Sequence, residues 1–358
     1  MANVRVSRRP GAALAFERLF RHKLEFFTER ATKIVSVARR TTSGSQEASR
    51  QVSWTGLLHL FVVYLVWGST YLAIRVAVRE GSGFPPFTLA ASRAILGGLA
   101  LLVWTALGRN RLRLTGREAV ILAVSGLLLW TGGNGLVVWA EQRIHSAYAA
   151  LLVSTTPIWA ALIESVIDRR VPSALLILAQ LVGFCGAALL AVPILAEGVT
   201  ADTWAVIGLI LASFSWASGS IYQNRNPVKL AARTSAAYQQ LFGSVGFIAL
   251  VLATGEPTPN PTVGAWWAWG YLVIFGSILA FTSFVQALRL LPTGIVFTYG
   301  YVNPLIAVVL GWLVLDEPIT RWTLAGAAFI LAGVAGVFRD RVVRARRRPA
   351  AIDAEITG

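Results

Sequence analysis

Five ionisable side chains stand inside or at the ends of long apolar runs: His59, Arg75, Arg93, Glu141 and Glu164. A charged group at the centre of a membrane helix costs about 2.5–3.5 kcal/mol, so each of these needs a partner, water or a task. Arg75 closes one run, Arg93 lies about seven residues into the next, and Glu141 ends the third at the same level. An Arg93–Glu141 or Arg75–Glu141 pair is therefore geometrically allowed and would form a charged gate. Snorkelling of Arg75 and a structural pair at Arg93 compete with that reading. His59 and Glu164 sit near the opposite ends of their runs. There they can take up a proton in a coupled cycle, or simply occupy a hydrated interface.

A second group is polar or aromatic and falls at mid-run depth. Trp67, Ser69 and Tyr71 are followed by Asn134 and Trp139, and later by Trp216, Ser220, Gln286, Tyr299 and Asn303. Rings interspersed with a few hydroxyl and amide groups suit an amphipathic organic solute, oriented without fixed charge. The absence of a buried cation cluster argues against phosphorylated ligands, which need Arg or Lys clamps. Pro157 and Pro304 also sit mid-run, where each removes a backbone N–H bond and frees the carbonyl four residues earlier. They read as a pair of hinges or as static kinks.

Other chemistries lack their residues. One cysteine, Cys185, permits no intrachain disulfide, and three histidines scattered along the chain make a zinc site improbable. No phosphate-binding loop, zinc-protease or nucleophile-elbow motif occurs, so no metal, no cofactor and no enzyme activity is expected. An intramembrane enzyme would need paired aspartates at depth, and the three between Val52 and Phe338, Asp168, Asp202 and Asp316, fall at loops.

The elements that must position these residues are membrane helices. The chain of 358 residues is 56% apolar and only 14% charged, against about a quarter charged for a soluble domain. Of its 32 Lys and Arg, 11 precede Val52 and 6 follow Phe338, leaving the stretch between them far more apolar than the average. A hydrocarbon core needs roughly 20 apolar residues per helix. Ten such segments appear, at 55–78, 86–107, 118–140, 146–167, 172–194, 203–224, 234–254, 265–289, 293–315 and 320–338. They do not alternate with period two, so the expected class is an all-α polytopic membrane protein rather than a barrel. The net charge of +15 resembles a nucleic-acid signal, but basic residues confined to tails and alternate loops reflect membrane orientation; no nucleic-acid partner is expected. Arg109, Arg111, Arg113, Arg117, Arg169 and Arg170 on one side place both termini in the cytoplasm.

The two halves repeat. A shift of 147 places Pro157 on Pro304, Ala140 on Ala287 and Gly186 on Gly333, and a shift of 149 places Trp67 on Trp216. Five spans per copy is an odd number, so the second copy must insert upside down. The loop charges agree: Arg169 and Arg170 fall on Asp316 and Glu317, and Arg109 on Glu256. Inverted repeats of this kind build secondary transporters, whose halves exchange conformations about a central site. The expected organisation is a basic leader at 1–53, a first repeat at 54–194, a second at 195–338 and a basic, disordered cytoplasmic tail at 339–358. The leader reads as a helix on the inner leaflet or as a start assigned too far upstream.

The segments WGSTYLAIR (67–75), GNGLVVWAEQ (133–142), WASGSIY (216–222), FGSILAFTSFVQALR (275–289) and YVNPLIAVVLGWLVLDEPI (301–319) resemble the EamA family of the drug/metabolite transporter superfamily, in its bacterial ten-helix exporter branch. The resemblance covers about residues 54–338. It implies a carrier in the bacterial cytoplasmic membrane, monomeric or homodimeric, that exports amino acids, other small metabolites or drug-like compounds through a cavity between the repeats. Uptake or nucleotide-sugar exchange on the same fold, and a receptor that binds without moving its ligand, are the alternatives.

Overall fold

The computed structural model describes residues 53–144, 146–196, 202–315 and 319–356, within the compact unit Gln51–Gly358. Nearly all of the expected leader, and the loop acids Glu197, Asp316 and Glu317, lie outside the described residues. Among the described residues, ten helices are long and apolar enough to cross a membrane: α1 Trp54–Val78, α2 Pro86–Leu107, α3 Gly116–Ala140, α4 Tyr148–Asp168, α5 Ala174–Val192, α6 Thr203–Arg225, α7 Ala232–Thr254, α8 Val263–Leu290, α9 Thr293–Leu310 and α10 Arg321–Asp340. These agree with the ten apolar runs to within a few residues. Leu58, Phe61, Leu65 and Leu72 of α1 are exposed, as a lipid-facing side requires.

Local chemistry sets the helix starts. Ser53 accepts from Gly56 N at 3.2 Å, Asp202 from Ala205 N at 3.0 Å and Thr262 from Ala265 N at 3.3 Å, each satisfying an orphan first-turn donor. Thr115 and Glu118 form a reciprocal capping box at α3, and Glu118 also binds Arg111. The α2 start is capped from afar: the Glu256 carboxylate accepts from Phe87 N at 2.8 Å, Thr88 N at 2.7 Å and Thr88 Oγ1 at 2.7 Å. The helix that begins at Arg321 continues to Ile356, where the sequence suggests a disordered tail past Phe338. Arg and Ala are strong helix formers, and an existing helix spares this segment the cost of nucleation.

The repeats interleave. Helix α1 packs on α8 and α9, as α6 packs on α3 and α4, while α2 pairs with α7 and α5 with α10. Each pairing joins one repeat to the other, so neither half forms its core alone. The α5–α10 crossing displays the symmetry atom by atom. A Cβ on Gly186 would stand 2.6 Å from Ile330 N and 2.8 Å from Gly326 O, and a Cβ on Gly333 would stand 2.6 Å from Gly183 N and 2.8 Å from Ala179 O. Under the 147-residue shift, Gly326 and Ile330 are the images of Ala179 and Gly183. The two glycines thus perform one task twice, admitting backbone against backbone.

Four spans depart from regular helix, in symmetric pairs. Helix α3 carries a π-helical segment at Leu127–Asn134 and α8 one at Leu272–Ala280. Helix α4 is broken between Ser146–Val153 and Thr156–Asp168, and α9 between Thr293–Val296 and Tyr299–Leu315. Hydroxyl groups satisfy the carbonyls released at the α4 break: Ser154 Oγ donates to Leu151 O at 2.5 Å, Thr155 Oγ1 to Leu152 O at 2.7 Å and Thr156 Oγ1 to Val153 O at 2.6 Å. Irregular backbone at membrane depth is tolerated on those terms.

Candidate functional site

All four irregular spans converge on one central cavity. It spans about 610 Å³ of space between atoms, counting the solvent it opens to. Its wall is built from Trp67, Thr70, Tyr71 and Ile74 of α1, at helical spacing on one face, with Arg93 of α2 beside them. The π segment of α3 brings Trp130, Gly133 and Asn134, the middle of the α8 segment brings Gly276, and Phe281 follows directly after that segment. Thr156 adjoins the α4 break, Ser213 and Trp216 come from α6, and Tyr299 opens the second part of α9.

The aromatic rings form a connected box. Trp67 meets Trp216 edge to face at 5.3 Å and Tyr299 at 5.1 Å between centroids, while Trp130 meets Phe281 at 5.1 Å. The Trp67 indole N–H is taken up by Gly276 O at 3.4 Å.

Of the residues singled out in the sequence, Trp67, Tyr71, Asn134, Trp216 and Tyr299 are brought together at this wall. Asn303 is buried just behind it, beside Tyr71. Ser69 faces the other way, bonded to Tyr271 OH at 2.5 Å, because two residues along a helix from Trp67 is nearly the opposite face. Ser220 donates back to Trp216 O at 2.7 Å, Trp139 lies under the Arg143 guanidinium at 4.5 Å, and Gln286 is half-buried outside the wall. Away from the cavity, His59 Nδ1 is 3.2 Å from Ser283 Oγ, and Glu164 is half-buried near the end of α4. Trp130, Thr156, Ser213 and Phe281 are additions that their position in the sequence did not distinguish from packing residues.

The prolines mark where the two broken helices touch. A Cβ on Gly300 would come within 3.1 Å of Pro157 Cδ, so α9 passes against α4 at its break. Pro157 O is also held, accepting from Gln180 Nε2 at 2.9 Å. Pro304 lies one turn further on, inside the second part of α9.

Two expectations about charge need correction. Arg75 does not bind the Glu141 carboxylate: its Nη1 donates to the carbonyls of Glu141, at 2.5 Å, and Gln142, at 2.9 Å. Those oxygens belong to a helix C-terminus, where carbonyls lack intrahelical partners and attract a cation. The Glu141 carboxylate is itself 0% exposed and makes no hydrogen bond among the described residues; Arg75 and Arg93 act on it through space. Nor is the lining free of fixed charge, because Arg93, 3% exposed, forms part of the wall. Seven residues into α2 is deep enough to reach the centre, and the π turn of α3 places Asn134 opposite it.

Paired five-helix repeats of opposite sense, meeting at a cavity walled by their own irregular spans, are the architecture of a membrane carrier. The chain belongs to the EamA-like transporter family, which matches residues 54–192 and 203–339. It is 32% identical over 253 residues to the uncharacterized inner membrane transporter YedA of Escherichia coli strain K12, covering 70% of this chain and 80% of that one. It is 26% identical over 284 residues to an uncharacterized transporter of Archaeoglobus fulgidus, covering 77% and 95%. A solved crystal structure superposes with a TM-score of 0.64 at 20% identity, covering 82% of this chain and 98% of the other, a likeness of fold.

Proposed function

We propose that this protein is a secondary transporter of the inner membrane that exports small metabolites, amino acids or amphipathic drug-like compounds by alternating access. The observation that carries the reading is that symmetry-equivalent elements meet at the cavity: the mates Trp67 and Trp216 touch there, and both π segments and both helix breaks border it. Exchange of conformation between the repeats would open this one site to either side. Both termini are taken to be cytoplasmic, from the basic loops, and export follows the family resemblance. Pro157 and Pro304 then serve as hinges. Arg75, held by the backbone carbonyls of Glu141 and Gln142, closes the outer end, with Glu141, His59 and Glu164 as the groups able to carry a coupled proton.

The test is counterflow of a labelled amino-acid, amine and carboxylate panel in proteoliposomes, with and without an imposed pH gradient. Saturable flux supports a carrier, and its response to the gradient decides coupling. Saturable binding without flux would replace the carrier by a receptor.

A further inference from the structure

Arg93 is the one charged side chain among the described residues that lines the central cavity. A guanidinium has five N–H donors and no ordinary way to lose its charge. Two acceptors meet it: Ser277 Oγ at 2.8 Å from Nε, and Asn134 Oδ1 at a long 3.5 Å from Nη1. Both are neutral, and no carboxylate among the described residues lies within ion-pair distance of Arg93. The Trp130 ring covers the guanidinium at 5.2 Å, which orients it without neutralising it.

The charges around Arg93 do not balance. Glu141 is the anion that acts on it, and Glu141 is shared with Arg75. Two cations and at most one buried anion leave a net positive charge of at least one, and the cation at the cavity wall is the one with donors to spare. A planar, bidentate donor fork next to an aromatic box is matched by a carboxylate on an apolar body. A zwitterion would leave the excess charge in place and would bring an ammonium group to a wall that presents no carboxylate. A phosphate ester would ask for further cations that the wall lacks.

We propose that the cavity takes a small organic monocarboxylate, held at its carboxylate by Arg93 and at its apolar body by Trp67, Trp216 and Tyr299. This assignment rests on the carrier reading and narrows its substrate class.

The probe is labelled 3-phenylpropionate, in counterflow with the full chain in proteoliposomes, challenged by unlabelled 3-phenylpropionate, 3-phenylpropanamide, phenylalanine and phenethylamine. Saturable flux is expected, with the amide and the amine competing about tenfold to a hundredfold more weakly than the acid, the size of a lost charge-assisted bond, and phenylalanine also weaker. Arg93→Gln should lose acid flux and Arg93→Lys should retain part of it, at equal thermal stability. The wild-type comparison of acid with amide stands even if Arg93→Gln does not fold. Equal competition by acid and amide overturns the anchor. Flux of phenethylamine or phenylalanine with none of the acid overturns it too, while leaving the carrier reading intact. No flux of any compound removes the carrier reading and the anchor with it.

Discussion

Trp67 and Trp216 stand 149 residues apart in the chain and meet edge to face at 5.3 Å between ring centroids, with planes at 82°. They are images of each other in the repeat, so the contact marks where its approximate two-fold axis passes. An internal symmetry visible only as a spacing of residue types becomes, in three dimensions, a contact at the central cavity.

Because the rings interact directly, their substitutions should not add. Trp67→Ala and Trp216→Ala are each expected to destabilise the folded protein, and the double-mutant cycle should show a coupling of about 0.5–1.5 kcal/mol. Thermal unfolding in detergent measures it; strict additivity would mean that the rings do not touch in the folded protein.

The α5–α10 crossing should tolerate no side chain at its glycines. Gly333→Leu forces its Cβ toward the Gly183 backbone and is expected to cost about 3 kcal/mol or more, the upper range of overpacking. Gly270→Leu, with nothing within 4 Å of its Cβ, serves as the control and should leave the melting temperature nearly unchanged. Similar losses from both would place the helix crossing elsewhere.

Two loops at one end of the bundle hold each other. Gly83 has φ +83° and a Cβ there would stand 1.9 Å from Asn260 O, while Asn260 N donates to Gly83 O at 2.9 Å. Gly83→Ala should combine backbone strain with loss of this contact, at about 1–3 kcal/mol. Hydrogen exchange at residues 256–262 should rise; unchanged protection would show that the loops are held by other contacts.

Glu256→Ala removes a carboxylate that serves three donors at the α2 start. A loss of about 1–2 kcal/mol is expected, as for other helix caps, with Glu256→Gln intermediate. Chemical denaturation of the purified variants would read it, and a neutral result would reduce Glu256 to a surface charge.

Glu141→Gln addresses coupling. If the buried carboxylate carries the proton, the variant should keep counterflow, which needs no net proton movement, and lose its response to an imposed pH gradient. A variant that responds normally to the gradient would pass the role to His59 or Glu164.

How much of this was readable in the chain differs by residue. The ten spans follow from run length, since a bilayer core of fixed thickness converts composition directly into helices. The inverted repeat follows from the offsets that superpose Pro157 on Pro304 and Gly186 on Gly333, together with the reversed loop charges. Trp67, Tyr71, Asn134, Trp216 and Tyr299 were identifiable as polar or aromatic groups at depth. Ser69 and Gln286 share that description yet lie off the wall, because depth says nothing about which face of a helix a residue occupies. The π segments carried no signal either: one extra residue per turn is a backbone state that these sequences adopt against their neighbours.

Composition and periodicity therefore determined what the chain is made of, how often it crosses the membrane and how its halves are related. Those properties depend on local residue counts against a solvent of known thickness. The place of the charges was decided by packing. Arg75 is held by helix-end carbonyls, the Glu141 carboxylate has no hydrogen-bonded partner among the described residues, and Arg93 sits in the cavity wall, because each outcome depends on which atoms of distant helices arrive within about 3 Å. No spacing along the chain encodes that distance.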